Sequence, residues 1–271
     1  MPELPEVETI VRGLRRSIVG KTIEGAEVRL ARIVVAPPNV RFERAVRGKR
    51  VARVDRRGKY AVIALATGEA LVTSLRMTGR LVVARDGAPE WPATHVVLRF
   101  TDGSRLRFSD VRTFGRMRLV RQGEAWDAEL GVEPLGSGFT PKAFIGMLSG
   151  RTTPIKALLL DQRRIAGIGN IYACEALWEA RIRPSRPAGR LTKPAAYRLR
   201  RAIVDVLQRA VKMRGTSVDD YVDADGLQGG FQNNLSVYGK GGSLCPRCGT
   251  GRIVRTVLAQ RGTWWCRRCQ R

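Results

Sequence analysis

Two different hydrophobic periods divide this chain. Near its start, apolar residues recur at helical spacing, which predicts a helix over residues 7–19 that stops at Gly20. From about residue 22 to residue 120 the pattern changes to short β-rich runs. These runs predict a compact antiparallel sandwich or barrel. They cover residues 33–36, 60–65, 70–75, 81–84, 95–100, 105–108 and 117–120, with tight-turn pairs at Thr67-Gly68, Asp86-Gly87 and Asp102-Gly103.

Helical spacing returns after a linker-like stretch at residues 131–135. Helices are predicted over residues 141–148, from residue 154 to residue 160, and over residues 194–213. Between them, Gly167-Ile168-Gly169-Asn170 forms a glycine-rich turn that leads into a helix reaching about residue 180. Such a turn can present backbone N–H groups to a phosphate, although glycines between helices also serve packing alone. The glycine-rich residues 215–242 predict a mobile loop.

Charge narrows the classes of partner. Lys and Arg number 49 against 24 acidic residues, a formal net charge of +25 over 271 residues. A surplus of this size predicts a polyanionic partner, with nucleic acid first and a membrane surface second. No apolar run approaches the ~20 residues needed to cross a bilayer, so we expect a soluble, cytoplasmic protein.

Four of the five cysteines form two Cys-x-x-Cys pairs near the end of the chain. The pairs are separated by the spacing typical of a four-cysteine zinc site, which predicts one structural Zn²⁺ ion bound by four thiolates. The predicted ligands are Cys245, Cys248, Cys266 and Cys269. The remaining Cys174 lies in a predicted helix and is expected to be a small buried residue.

The N-terminus offers a different chemistry. If Met1 is removed, Pro2 becomes a free secondary amine, which titrates near pH 8 and can act as a covalent nucleophile at a sugar C1′. Glu3 and Glu6 lie within four residues of that amine. One of the two could transfer protons while the other pairs with a cation or caps the next helix. The alternative interpretation is an ordinary start of a helix.

Three further segments could project functional side chains. Lys59 follows Gly58 at the start of a predicted strand, where an ordinary basic turn is the alternative. Met77 lies in a predicted turn, and Arg112 and Phe114 lie in another. Met and Phe are usually core residues, but when exposed they could act as wedges that unstack base steps.

Together these residues resemble the bacterial formamidopyrimidine-DNA glycosylase family over essentially the whole chain. The resemblance is carried by the opening segment Met1-Pro2-Glu3-Leu4-Pro5-Glu6-Val7-Glu8-Thr9, by Gly167-Ile168-Gly169-Asn170-Ile171-Tyr172-Ala173 and by the four-cysteine finger. It implies an α+β protein: a β-rich N-terminal catalytic sandwich (residues 1–130), a helix-two-turns-helix DNA-binding domain (131–241) and a zinc finger (242–271), with DNA between the two halves.

The resemblance also implies residue roles. Pro2 is similar to the Schiff-base nucleophile and Glu3 to the general acid, while Lys59 matches the lysine of β-elimination and Arg261 the finger arginine of δ-elimination. Met77, Arg112 and Phe114 are similar to the trio that fills the space left by an everted nucleotide. Arg151, Lys156 and Asn170 resemble contacts to the DNA backbone.

Some positions depart from the family pattern. Ala93 stands where the family often has a DNA-contacting histidine. Ser74 stands before Leu75 where the family has a histidine before leucine. We expect these changes to weaken individual contacts. The only histidine of the chain, His95, is expected to be structural.

Together with this resemblance, the sequence predicts a monomeric base-excision-repair enzyme that acts on damaged double-stranded DNA. It would be a DNA glycosylase and AP lyase that removes 8-oxoguanine and formamidopyrimidines and cuts the strand by β,δ-elimination, in association with the bacterial nucleoid. Leu4 favours this purine branch over endonuclease VIII, where glycine stands at that point. Two alternatives stay open: an endonuclease VIII-like preference for oxidised pyrimidines, and a lesion-binding protein without catalytic activity.

Overall fold

The computed structural model describes residues 2–85, 87–217 and 221–271. The chain forms two compact units. Unit 1 comprises Met1–Ala128 and Met213–Gly230, and unit 2 comprises Glu129–Lys212 and Phe231–Arg271. The segment 213–230 thus belongs to unit 1, although residues 129–212 of unit 2 precede it in the chain, and we call it the return segment.

Unit 1 opens with helix α1 (Leu4–Ile18). The helix begins three residues before the predicted start because Pro5 is tolerated in a first helical turn, where its missing N–H costs no hydrogen bond. Its apolar stripe is fully buried and packs against strands β3 (Val51–Arg57) and β4 (Tyr60–Leu65). Gly20, with φ +85°, ends the helix as predicted.

Two sheets enclose the core of unit 1, which confirms the predicted sandwich. The remaining strands are β1 (Ile23–Val28), β2 (Val34–Val35), β5 (Ala70–Ser74), β6 (Gly79–Ala84), β7 (Thr94–Phe100), β8 (Arg105–Asp110) and β9 (Arg116–Val120). One sheet has the order β2-β9-β5-β4-β3, and the other has the order β1-β7-β8-β6. Buried residues of α1 and of both sheets form one hydrophobic cluster. Unit 1 also has a short helix α2 (Phe42–Val46) and a 3-10 helix at Ala31–Ile33.

Unit 2 is helical and ends in a β-hairpin. Its helices are α3 (Pro141–Leu148), α4 (Ile155–Leu160), α5 (Asn170–Glu179) and α6 (Lys193–Lys212), with 3-10 helices at Ala188–Arg190 and Phe231–Asn234. Helix α5 is buried along nearly its whole length and packs on α4, α6 and the hairpin. The hairpin consists of β10 (Ile253–Leu258) and β11 (Arg261–Cys266).

The described residues also bear on two sequence predictions. No helix among them is both long enough and apolar enough to cross a membrane. The predicted turn at Asp86-Gly87 includes Asp86, which lies outside the described part of the chain, as does Met1.

Candidate active site and DNA-binding surfaces

The first turn of α1 fixes the position of Pro2. Pro2, Glu3 and Glu6 are all buried. The Glu3 N–H donates to Glu6 Oε2 at 2.8 Å, and the Thr216 N–H donates to Glu6 Oε1 at 2.7 Å. Both oxygens of Glu6 therefore accept backbone hydrogen bonds, which makes Glu6 a positioning carboxylate. Glu3, next to Pro2, is the candidate for proton transfer.

The return segment of unit 1 is attached to this same turn, a connection that sequence analysis missed. The Tyr221 hydroxyl donates to the backbone oxygens of Glu6 (3.3 Å) and Arg214 (3.2 Å). Burial, reinforced by the nearby Glu6 carboxylate, raises the pKa of Tyr221, so its hydroxyl keeps its proton. Gly215 has φ +79°, and a Cβ there would lie 2.8 Å from the Glu6 carboxylate. The order of the chain gives no signal for this long-range contact.

Lys59 lies in the two-residue turn between β3 and β4. Arg57 and Tyr60 pair on either side of the turn, and Gly58 adopts φ +56°. Arg56 holds the turn by donating to Gly58 O at 2.9 Å, and it also donates to Glu8 Oε2 on α1 at 3.1 Å. These contacts attach the hairpin that carries Lys59 to the helix that begins beside Pro2.

The predicted wedge residues lie on two loops of unit 1. Met77, 38% exposed, is in the turn between β5 and β6, and Phe114, 51% exposed, is in the loop between β8 and β9. The Arg112 guanidinium lies 4.9 Å from the centre of the Phe114 ring. An exposed Met and an exposed Phe with a stacked arginine are suited to contact bases and phosphates.

Buried Asp110 joins the two loops. Its carboxylate accepts hydrogen bonds from the Thr78 hydroxyl, from the Arg112 N–H (3.2 Å) and from the Gly115 N–H (2.6 Å). The backbone oxygen of Asp110 lies 3.0 Å from His95 Nε2. One carboxylate thus holds together the two loops that carry Met77 and Phe114. His95 contacts the backbone of the same aspartate, which is a structural contact.

The three residues of unit 2 that are predicted to contact the DNA backbone have different surroundings. Arg151 is exposed directly after Gly150, and Asn170 is the first residue of α5. Lys156 is 0% exposed, and its ammonium donates to Asn170 Oδ1 (2.6 Å), Thr263 Oγ1 (2.7 Å) and Gly262 O (3.2 Å). Lys156 and Asn170 therefore hold the β10–β11 hairpin in place.

Arg261 is exposed at the start of β11, directly after the hairpin turn. The turn residues Ala259 (φ 50°) and Gln260 (φ 57°) are both in the left-handed region, where residues with a Cβ are disfavoured. The adjacent Gly262 O accepts hydrogen bonds from Lys156 and from Asn170 Nδ2 (2.9 Å). The backbone that carries Arg261 thus lies between a tight turn with left-handed residues and a carbonyl held by Lys156 and Asn170.

The four predicted zinc ligands meet in unit 2. Their sulfur atoms all lie within 4.8 Å of one another, with Cys245 and Cys269 3.8 Å apart and Cys248 and Cys266 3.9 Å apart. A tetrahedral shell with Zn–S bonds of about 2.3 Å places its sulfurs about 3.8 Å apart. The cluster fits one Zn²⁺ ion with a complete thiolate shell. Such an ion is structural, because four protein ligands leave no position for water.

Comparisons with known proteins agree with this architecture. The family description "Formamidopyrimidine-DNA glycosylase N-terminal domain" matches residues 1–117, the H2TH domain of the same enzymes matches residues 130–222, and a zinc finger found in FPG and IleRS matches residues 242–271. The chain is 46% identical to the formamidopyrimidine-DNA glycosylase of Brevibacillus brevis (100% of this chain, 99% of that one) and 47% identical to that of Heliobacterium modesticaldum (100% of both).

Solved structures show the same fold. A mutant Lactococcus lactis FPG in complex with DNA containing Fapy-dG has a TM-score of 0.93 at 36% identity, covering 100% of both chains. The MutM (FPG) protein of Thermus thermophilus has a TM-score of 0.89 at 42% identity, covering 99% of this chain and 98% of that one. With its N-terminal domain, its helical domain and its zinc finger all matched, the chain belongs to the formamidopyrimidine-DNA glycosylase family, a family of bifunctional DNA glycosylases and AP lyases.

Proposed function

We propose that this enzyme removes oxidised purines, 8-oxoguanine and formamidopyrimidines, from double-stranded DNA in the bacterial cytoplasm, with Pro2 as the nucleophile. The observation that carries the proposal is the first turn of α1, where Glu6 fixes the backbone of Glu3 beside Pro2. A nucleophile whose neighbouring backbone is held in this way loses little freedom when it meets a sugar carbon. The relatives named above, which are formamidopyrimidine-DNA glycosylases of two other bacteria, support this proposal.

The proposed reaction starts after the damaged nucleotide has been turned out of the duplex, because C1′ cannot be reached within the base stack. The lone pair of the Pro2 nitrogen forms a bond to C1′, and the bond from C1′ to the base breaks. The proton of the Pro2 amine passes to the departing base, which gives a neutral adduct at C1′. Glu3 then protonates the ring oxygen O4′ as the C1′–O4′ bond breaks, and the opened sugar is held as an iminium ion.

Strand cleavage follows from the iminium ion. Loss of a C2′ proton breaks the 3′ C–O bond (β-elimination), and a second elimination breaks the 5′ C–O bond (δ-elimination). We assign proton transfer in the first elimination to Lys59 and the contact to the flanking phosphate in the second to Arg261. The exposed positions of Met77, Arg112 and Phe114 suit the filling of the space that the everted nucleotide leaves in the duplex. Exposed Arg151, and Asn170 at the start of α5, suit contacts to the DNA backbone.

Borohydride trapping tests this mechanism directly. Wild-type protein whose Pro2 terminus has been confirmed by mass spectrometry should form a covalent adduct with a duplex that contains 8-oxoguanine opposite cytosine. A Pro2→Gly variant that still binds the duplex should form far less adduct. Failure of the confirmed wild type to form an adduct would rule out the iminium mechanism and favour a protein that only binds lesions, as would retention of Met1.

Oxidised pyrimidines are a second candidate substrate class. A solved complex of Lactococcus lactis FPG with DNA containing an oxidised pyrimidine has a TM-score of 0.91 to this chain at 36% identity. Excision of thymine glycol should therefore be compared with excision of 8-oxoguanine in the same duplex. Faster release of thymine glycol would transfer the main activity to the pyrimidine class.

A further inference from the structure

The indole ring of Trp178 contacts the zinc centre from helix α5. Trp178 is 9% exposed, and its Nε1–H donates to the sulfur of Cys245 at 3.4 Å in a buried hydrogen bond. Trp178 also belongs to the buried cluster that contains Cys245 and Cys266. An indole N–H has no acceptor function, so it can only donate to the sulfur.

Charge explains why a donor at this position matters. Cysteine binds zinc as the thiolate, and four thiolates leave net negative charge on a site that has a single divalent ion. Hydrogen-bond donors to the sulfurs spread this charge. The Gly251 N–H donates to Cys248 at 3.3 Å from within the finger itself. Trp178 differs because its N–H comes from a side chain on another element.

Arg247 holds this arrangement together. It lies between Cys245 and Cys248 in the chain, and its guanidinium carbon is 3.9 Å from the centre of the Trp178 ring. The same guanidinium donates to the backbone oxygens of Trp178 (2.5 Å) and Glu179 (3.3 Å) at the C-terminal end of α5. A cation at this end of a helix is favoured by the helix dipole. The first cysteine pair is therefore fixed to α5 through both ring and backbone.

Helix α5 contacts the finger at both of its ends. Its first residue, Asn170, donates to Gly262 O next to Arg261, while Trp178 near its last turn donates to Cys245. In the middle, Glu175 accepts from the backbone N–H groups of residues 236–238. The helix thus joins the zinc ligands to the arginine hairpin.

We propose that Trp178 is a positioning residue of the zinc centre: its N–H withdraws charge from the Cys245 thiolate, makes that ligand less nucleophilic and slows the loss of zinc. The effect on DNA cleavage is indirect and acts through the hairpin that carries Arg261. Zinc retention itself is independent of Pro2, so this proposal and the proposed reaction can fail separately.

The test compares Trp178→Phe with Trp265→Phe in the zinc-loaded protein. Both changes remove an indole ring and one N–H donor. Trp265, also buried, donates to the Thr256 hydroxyl at 3.3 Å instead of to a zinc ligand. Removing an outer-shell partner typically costs 10- to 100-fold in metal affinity. Transfer of zinc to a chromogenic chelator should therefore be about tenfold faster in Trp178→Phe and nearly unchanged in Trp265→Phe.

Two further measurements examine the sulfur itself. In cobalt-loaded protein, the sulfur-to-cobalt charge-transfer band should move to lower energy in Trp178→Phe, because the thiolate has lost a hydrogen bond. Iodoacetamide should also alkylate the variant faster, with the sulfur attacking carbon, iodide leaving and the metal–sulfur bond breaking. Equal behaviour of Trp178→Phe and Trp265→Phe in all three assays would show that the indole only fills space and would overturn the proposal.

A measurement on the wild type covers the case in which Trp178→Phe does not fold. In protein loaded with ¹¹³Cd, a hydrogen bond from the indole to a metal thiolate transmits scalar coupling between the indole proton and the metal. We expect this coupling for the Nε1–H of Trp178 and none for that of Trp265. Absence of the Trp178 coupling in folded, cadmium-loaded protein would contradict the hydrogen bond on which the proposal rests.

Discussion

Glu3 and Glu6 are three positions apart, and both are buried. They form the capping box that opens α1, and the proposed reaction assigns proton transfer to Glu3 alone. The Glu6 carboxylate accepts two backbone N–H groups, one from Glu3 and one from Thr216. In Glu6→Gln, the amide NH₂ would face one of these donors. Leaving a buried donor unsatisfied costs about 1–3 kcal/mol. We expect a lower free energy of unfolding in urea, together with less borohydride-trapped adduct.

Glu3→Gln is the matched comparison, since it makes the same chemical change three residues away. It leaves the Glu6 carboxylate in place to accept both N–H groups. We expect its unfolding midpoint to stay closer to that of the wild type while base release falls at least as far as in Glu6→Gln. The reverse order, with Glu3→Gln the less stable of the two, would contradict the division of tasks between these carboxylates.

Glu8 allows a prediction about pH. Burial opposes ionisation of its carboxyl, but hydrogen bonds and charges from Arg12 and Arg56 hold the pKa of Glu8 below its ordinary value of 4.5. A lowered folded-state pKa contributes stability above the unfolded-state value, and this contribution is lost as the pH falls through the folded-state pKa. Urea unfolding at pH 7 and near pH 3 should therefore show a smaller loss of stability in Glu8→Gln than in the wild type. Equal losses would show that Glu8 does not link α1 to the Lys59 hairpin energetically.

At the scale of elements, the period of hydrophobic residues was sufficient to predict helices and strands that have one continuous apolar face. The ends of α3, α6 and β4 agree with the predicted ranges to within one residue. Strands β1 and β3 were missed because charged residues and a glycine interrupt their alternation, and their pairing with β7 and β4 stabilises them instead. Helix α2 was missed as well, since five residues are too few to show a period.

The candidate site shows the same limit. Spacing along the chain was enough for the four zinc ligands, because Cys-x-x-Cys pairs carry their geometry with them. It gave no indication that Glu6 contacts Thr216 or that Lys156 contacts Thr263, since these pairs are separated by 210 and 107 residues. Nor did the sequence indicate that Lys156 is buried. A buried ammonium needs acceptors, and its three acceptors lie on residues that are distant in the chain.

The Lys156 contacts make a prediction about one element, the β10–β11 hairpin. In Lys156→Met, Asn170, Gly262 and Thr263 lose their common donor, so the backbone on either side of Arg261 should become less ordered. We expect weaker binding to lesion-containing DNA with zinc still bound at one equivalent. Hydrogen exchange should be faster in β10 and β11 than in the wild type.

Arg151→Gln is the control for this variant, since Arg151 is exposed and outside the hairpin. It should lower DNA affinity by removing a charge while leaving hairpin exchange unchanged. If Lys156→Met reduced binding without any change in hairpin exchange, the ammonium would act directly on DNA and not through the position of Arg261.

For the whole molecule, the separate cores of the two units determine what zinc loss can affect. The hydrophobic cluster of unit 1 is built from α1, both sheets and the return segment, whereas the cysteines of the finger belong to a cluster with Trp178 and Val237 in unit 2.

In Cys248→Ser, the thiolate shell is incomplete and zinc should be released. A finger of this size depends on its metal for stability, so its hairpin should unfold. Hydrogen exchange should then rise in β10, β11 and the contacting end of α5, while the sandwich keeps its wild-type protection. Strand incision should be suppressed together with DNA affinity. Arg261→Ala should lose binding and δ-elimination products while keeping zinc and normal exchange throughout. Full incision by zinc-free Cys248→Ser, or loss of protection in the sandwich, would show that the finger does not act as a separate DNA-binding part of the enzyme.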